Sequence, residues 1–446
     1  MHATRETFGS RFGALMTMIG VAAGLGNIWR FPYMVGEFGG AAFVVFYVVA
    51  VAMIGAPALM AELALGRYTR RGPVGAFEEA GLPLGRPIGW FFFFVMTMAL
   101  AYYSAVLGWV LLYATRQFAG VLGAPFDASI VLPPVSGFAL RTWLLQATLT
   151  AVVILSCAWM LLRGVRRGVE TASRLIIPCL FVGLIVMAVR SLTLPGAAEG
   201  LAWYILKFDL SRLSSSVIVA ALGQAIFSLS LGGTFMVVYG SYLDSDVSLP
   251  ENAFGTAFGD TAVGLIAGLV IFPAVFSLGL EPGAGPALLF DTLPRMFEAM
   301  PGGAWFGLLF FAGLFGAAYL SDVAGFEVVV AGLTDNTRLD RRRAVWLMAG
   351  VVFVCSLPPT LNMGVFVPWD LTFGSGMQTL GALLSVLAIG WCVYRADALR
   401  ELASREEVPG WVRPLYLWLR YLVPFAIVAV GVWWLLTDVL GMTGGT

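Results

Sequence analysis

GVAAGLGNIWRFP, residues 20–32, sets Gly20, Gly24 and Gly26 into an apolar segment long enough to cross a bilayer. Glycine disfavours a helix by roughly 1 kcal/mol per position relative to alanine. A break there also frees backbone carbonyls and N–H groups that hydrocarbon leaves unsatisfied, so it is tolerated only where protein encloses it. A second interruption lies at FSLSLGG, residues 227–233. Either segment alone could use its glycines for close helix packing. As a pair they occupy matching places, each in the helix that opens a group of five spans. Interrupted helices so placed point to a substrate and ion site near the bilayer midplane.

Composition supports a membrane setting. The 446 residues are 59% hydrophobic and 12% charged, with mean hydropathy +0.88, whereas soluble domains carry about 25% charged residues. In water such a chain would expose wide apolar patches. The formal net charge is zero, which gives nucleic acid no electrostatic handle. His2 is the only histidine, so histidine metal sites and histidine acid–base chemistry are excluded, and nothing marks an enzyme. Cys157, Cys179, Cys355 and Cys392 stand far apart in apolar stretches and are expected as buried thiols. The polar N-terminus runs straight into the first apolar segment without a cleavage site, so no signal peptide is expected.

Windows of about 20 apolar residues predict eleven spans: 11–35, 39–66, 87–119, 140–163, 168–190, 215–243, 252–281, 303–334, 343–361, 367–395 and 413–440. Alternate loops carry the arginines: Arg67, Arg70 and Arg71; Arg163, Arg166 and Arg167; Arg338 and Arg341 to Arg343; Arg395, Arg400 and Arg405. Lys207 and Arg212 are the main exceptions, and the loop from Asp244 to Glu251 is acidic. Basic loops face the cytoplasm. This predicts a multi-pass inner-membrane protein with its N-terminus inside and its C-terminus outside.

The stretch GLGNIWRFP resembles the broken first helix of the neurotransmitter:sodium symporters. Arg67-Tyr68 in ELALGRY, Tyr102-Tyr103, GQAIFSLSLG from Gly223 and Trp369-Asp370 follow in that family's order. The resemblance covers essentially the whole chain. It implies an all-α transmembrane fold with the inverted-repeat architecture of the leucine transporter, helices 1 and 6 being broken. Repeat one would run over about 11–190, repeat two over about 215–395 and an extra helix over about 413–440, within one transporter domain. Many members have twelve spans; the eleven expected here differ at the end of the chain. The resemblance further implies sodium as coupling ion, no organic cofactor, an amino acid-like substrate and no obligatory protein partner.

By resemblance, the first sodium site maps to the Ala22 carbonyl, Asn27, Ser228 and Asp260. The family usually has asparagine where Asp260 stands. Animal members balance this region with chloride at positions matching Tyr47, Gln224 and Ser228, and Gly264 stands where a chloride-site serine or a substituting glutamate is often found. Asp260 would supply the negative charge instead, making transport chloride-independent. The second sodium site maps to the Gly20 and Ala23 carbonyls and to span 8, in one of two registers. Matching FFAGL places Phe315 and Gly316 at ligand positions, which removes the site. Anchoring on Glu327 and Asp335 selects Ala317, Leu320 and Ser321 and keeps a hydroxyl, although Leu320 then offers only its carbonyl. One or two coupled ions remain open.

For substrate, the resemblance selects Ala22, Gly24, Gly26, Ala99, Tyr103, Phe227, Ser230, Gly233, Asp322 and Gly325. Gly24, where amine carriers hold an aspartate, leaves space for a carboxylate, and Tyr103 matches the tyrosine that binds it. Ala99, Gly233 and Gly325 leave the side-chain end roomy. Asp322 is the unusual residue, since an aspartate at a helix centre costs about 2.5–3.5 kcal/mol on insertion scales. It would face either the substrate, favouring a cationic or polar amino acid, or the second ion. Arg30 and Asp370 match the external gate; Arg5, Tyr242 and Asp335 match the cytoplasmic latch. Glu62 matches a scaffold glutamate. Proton coupling on the same fold and a non-transporting sensor are the rival readings.

Overall fold

The computed structural model describes residues 7–124, 126–208, 214–282 and 288–436. The first apolar window is divided into α1 (Arg11–Ala22) and α2 (Gly26–Phe38), bent by 54° at the break. Then come α3 (Ala41–Thr69), α4 (Gly85–Val121), α5 (Leu140–Leu162) and α6 (Val165–Leu192). The second interrupted span is α7 (Ser215–Ser228) followed by α8 (Phe235–Gly240). After these run α9 (Leu249–Ser277), α10 (Gly303–Asn336), α11 (Arg341–Ser356), α12 (Met363–Cys392) and α13 (Val412–Trp433). Among the described residues, eight helices are long and apolar enough to span, or nine with the bent pair. The halves α7 and α8, together with α11, occupy the remaining two expected windows.

Helix starts follow local chemistry. Ser10 caps α1 by accepting the Gly13 N–H at 3.0 Å, and Asn362 caps α12 by accepting the Val365 N–H at 3.1 Å. The α4 and α10 helices form the central wall, with α9 and α6 beside α1. The lateral face of α6 carries exposed Val182, Ile185, Val186 and Val189, as a lipid-facing helix should. Cys157 is buried as expected, but Cys355 and Cys392 are half-buried and Cys179 is exposed on that lateral face of α6. There an apolar environment needs no protein cover.

Two glycine contacts fix α8 and α12 against the breaks. On α3, a Cβ at Gly66 would stand 1.8 Å from the Val237 carbonyl oxygen, so the backbones of α3 and α8 touch. On α12, a Cβ at Gly381 would stand 2.0 Å from the Gly232 carbonyl oxygen. Gly232 has φ +83°, a conformation that glycine adopts without strain.

Candidate functional site

The two breaks meet face to face. After α1 the chain turns extended at Ala23 (φ −70°, ψ 113°). After α7, Ser230, Gly232 and Thr234 all have positive φ. Buried Glu62 of α3 accepts the Gly232 N–H at 2.7 Å, satisfying one freed donor.

Asn27, Ser228 and Asp260 come together, all buried. The Asn27 Nδ2 lies 2.9 Å from Ser228 Oγ, 2.9 Å from the Asp260 carbonyl oxygen and 2.7 Å from Asp260 Oδ1. Ser228 Oγ donates to Asp260 Oδ2 at 2.7 Å and accepts from the Tyr47 hydroxyl at 3.1 Å. The amide nitrogen thus sits among three oxygens, surroundings that suit a cation as well as two N–H donors. Turning the Asn27 carboxamide over would add its oxygen to the set. Gln224 Nε2 donates to the Gly26 carbonyl at 3.0 Å. Gly264 packs under Phe31, 3.4 Å from where its Cβ would be, so an aromatic ring takes the room beside it.

A second oxygen group gathers Gly20, Ala23, Ala317 and Ser321. Ser321 Oγ lies 3.3, 3.1 and 3.4 Å from the carbonyl oxygens of Gly20, Val21 and Ala23, and 3.5 Å from that of Ala317. Of the two registers for α10, the one anchored on Glu327 and Asp335 contains this group. Leu320 turns its side chain towards Gly20, with Cδ1 2.9 Å from a notional Cβ there, and offers no side-chain oxygen.

Between these groups lies a cavity of about 60 Å³ lined by Ala22, Gly24, Gly26, Ala99, Tyr103, Phe227 and Ser230, with Ser321 at its edge. A Cβ at Gly24 would stand 2.8 Å from both the Tyr103 hydroxyl and Ser321 Oγ. Ser230 Oγ donates to the Val21 carbonyl at 3.2 Å. Three expected residues lie off this cavity. The space at Gly233 is filled by the Phe235 ring, 2.6 Å from its notional Cβ, and that at Gly325 by Leu100 at 2.6 Å with Phe235 at 3.3 Å. The roomy side-chain end is therefore narrow. Asp322 points away, towards Ser104 Oγ at 3.0 Å and Cys157 Sγ at 3.6 Å. Met96, Leu100, Tyr102, Phe235 and Gln378 also line the cavity, and of these only Tyr102, in the Tyr102-Tyr103 pair, had a sequence signal.

Leu25, Tyr102, Tyr103 and Phe227 separate this cavity from a vestibule of about 490 Å³, which reaches Ser129, Asp291 and Met363 on the face opposite the arginine-rich loops. Arg30 and Asp370 both line it. The Arg30 guanidinium lies 4.1 Å from the centre of the Phe227 ring, and the Tyr102 hydroxyl and Asp370 carboxylate meet beside Gly374, where a Cβ would clash with both. The basic face is sealed. Asp335 accepts the Gly72 N–H at 2.6 Å, and the Tyr242 hydroxyl donates to Glu327 at 2.6 Å. Arg341 pairs with the same carboxylate at 2.6 Å. Arg5, the third expected latch residue, lies outside the described residues. Two further contacts had no sequence signal: Phe8 stacks on Tyr239, and Glu170 accepts the Gly9 N–H at 2.8 Å while pairing with Arg174.

The family model for the sodium:neurotransmitter symporter family matches residues 5–126 and 140–435. The chain belongs to that family. Among its relatives, the sodium-dependent transporter YhdH of Bacillus subtilis is 34% identical over 444 residues, covering 94% of this chain and 96% of the relative. The sodium-dependent serotonin transporter of Drosophila melanogaster is 27% identical, with 84% of this chain and 68% of that protein covered. The crystal structure of MhsT in complex with L-phenylalanine superposes with a TM-score of 0.83 at 34% identity, covering 96% of this chain and 99% of that one. The symporter family is one of multi-span sodium-dependent transporters, not enzymes. The all-helical architecture that the resemblance implied is the one found among the described residues.

Proposed function

We propose that the chain imports a small neutral amino acid with an apolar side chain, coupled to sodium and independent of chloride, by alternating access. The observation that carries this is the meeting of Asn27, Ser228 and Asp260 beside a cavity closed by Phe227. The Gly24 side of that cavity, with exposed backbone and the Tyr103 hydroxyl, suits a carboxylate. Met96, Leu100 and Phe235 supply an apolar far end, and Asp322 puts no charge there. Asp260 places a carboxylate in the ion group itself, which stands in for the anion that chloride-dependent relatives recruit. The Gly20, Ala23, Ala317 and Ser321 oxygens offer a second ion group, with Leu320 contributing no side-chain ligand.

The positive-inside arrangement orients the sealed basic face towards the cytoplasm of an inner membrane, with the N-terminus inside and the C-terminus outside. The vestibule then opens outwards. A membrane potential of about 100 mV contributes roughly 2.3 kcal/mol per inward charge. With a sodium gradient of similar size, one ion supports about a thousandfold accumulation, since about 1.4 kcal/mol is tenfold.

The test is uptake of labelled amino acids into proteoliposomes under an inward sodium gradient. Accumulation of neutral apolar amino acids, unchanged when gluconate replaces chloride, is the expected result. Accumulation driven by a pH gradient without sodium would overturn the sodium reading. Saturable binding with no accumulation would reveal a sensor, and preference for cationic substrates would overturn the assigned pocket chemistry.

A further inference from the structure

Asp322 follows Ser321 directly on α10, yet the two side chains serve different neighbours. Ser104 of α4 reaches both Asp322 carboxylate oxygens, at 3.1 and 3.0 Å, and the Cys157 thiol of α5 lies 3.6 Å from Oδ2. Asp322, Ser104 and Cys157 are each fully buried. On the pocket side of the same wall, the Tyr103 hydroxyl and Ser321 Oγ converge on Gly24, each 2.8 Å from where a Cβ would stand there. Two consecutive residues of α4 therefore face two consecutive residues of α10, Tyr103 meeting Ser321 across Gly24 and Ser104 bonding Asp322. The front pair borders the central cavity, and Ser321 also belongs to the second oxygen group. The rear pair touches neither.

We infer that Asp322 is a positioning residue, which, through Ser104, holds Tyr103 and Ser321 in register so that the substrate end and the second ion group share one rigid wall. A hydroxyl–carboxylate hydrogen bond is directional, so it fixes the sliding of α4 against α10 more sharply than apolar packing would. The carboxylate accepts from a second donor as well, which brings α5 into the same tie. Loosening the rear pair loosens the front pair, so substrate and sodium affinities should fall together. This inference rests on the symporter reading for its transport readout but not for its structural one.

The experiment is a double-mutant cycle between Asp322→Ala and Ser104→Ala, with Asp322→Asn and Ser104→Thr as conservative variants. Substrate KM, the sodium concentration for half-maximal uptake, and the Tm of the purified protein are measured for each. Each alanine variant should raise both transport constants by about tenfold, the scale seen when outer supports of an ion site are removed. The double variant should be no worse than the poorer single one, because both remove the same tie. Asp322→Asn, which keeps an acceptor for Ser104, and Ser104→Thr should stay within about threefold of the unmutated protein.

Damage by Asp322→Asn equal to that of alanine would overturn the inference, since the charge itself would then act on substrate or ion. Multiplying effects, or a silent Ser104→Ala, would overturn it too. If Asp322→Ala does not fold, Ser104→Ala and Asp322→Asn decide between these outcomes. Absence of sodium-dependent uptake in the unmutated protein would overturn the symporter reading alone. The Tm values would still judge the tie: non-additive losses support it, and additive losses refute it.

Discussion

At the residue scale, the absence of a side chain at Gly24 is itself functional. A methyl group there would stand 2.8 Å from both the Tyr103 hydroxyl and Ser321 Oγ, where overpacking costs about 1–3 kcal/mol. Gly24→Ala should therefore weaken substrate binding by roughly five- to 150-fold, since about 1.4 kcal/mol is tenfold. Its Tm should fall as well, because the intruding methyl meets the protein's own Tyr103 and Ser321 side chains. Equilibrium binding of labelled amino acid checks this, and unchanged affinity would place the substrate elsewhere. Asp260 carries the other residue-level expectation. Its carboxylate meets Asn27 at 2.7 Å and Ser228 at 2.7 Å, in a group where a cation gains from a negative neighbour. Asp260→Asn keeps the size and one acceptor oxygen but removes the charge and turns the other acceptor into a donor. Sodium titration of uptake should show half-saturation rising by at least about tenfold, equivalent to about 1.4 kcal/mol. If the apparent sodium affinity instead stayed constant, Asp260 would not be supplying charge to the ion.

At the element scale, the decisive contact is α12 against the break between α7 and α8. In an ordinary helix, Gly381→Ala gains about 1 kcal/mol of propensity. Here the new Cβ would lie 2.0 Å from the Gly232 carbonyl oxygen, and Gly232 is itself held by Glu62 at 2.7 Å. Relief requires moving one backbone from another, at a cost of about 1–3 kcal/mol, so the clash outweighs the propensity. A thermal-shift measurement in detergent should find the variant's Tm lower by several degrees; a raised Tm would mean that α12 can retreat. The same geometry explains what the sequence could reveal. Length and apolarity located the helices, because hydrocarbon forces backbone pairing into each span. The glycine breaks pointed to an enclosed polar site, because freed backbone needs one, and the family resemblance of GLGNIWRFP and GQAIFSLSLG put Asn27 and Ser228 in it. What stayed hidden depends on which way a side chain turns. Gly233 and Gly325 read as open space, yet Phe235 and Leu100 fill that space. Asp322 read as facing substrate or ion, and it bonds Ser104 behind the wall instead. Helical periodicity fixes a face to within a residue or so, and one step along α10 separates the cavity from the α4–α5 seam.

At the scale of the whole molecule, the two faces are unequal. The face opposite the arginine-rich loops holds a vestibule of about 490 Å³ reaching Phe227, while on the basic face polar ties join α6 to the segment before α1, and α10 to α11 and the segments after α3 and α8. Glu327 is the hub of that closure. It is fully buried, pairs with Arg341 at 2.6 Å and accepts from the Tyr242 hydroxyl at 2.6 Å. Removing one partner of a buried ion pair costs about 3–5 kcal/mol. Arg341 is 35% exposed, so solvent screening brings the loss down to about 1–3 kcal/mol. A tie of that size can hold the basic face shut in this shape and still yield once per cycle. Arg341→Ala should therefore shift the balance towards an inward-open form by roughly five- to 150-fold. A reporter cysteine at Thr17, buried on α1, introduced into a background with Cys157, Cys179, Cys355 and Cys392 changed to serine, would read that shift. Labelling by a membrane-impermeant maleimide from the basic side should be faster in the Arg341→Ala protein, and sodium should slow it less than in the parent. Equal labelling rates would mean that Phe8 on Tyr239 and Gly9 on Glu170 seal the basic face without help from Glu327, moving the latch from α10 to the N-terminal segment.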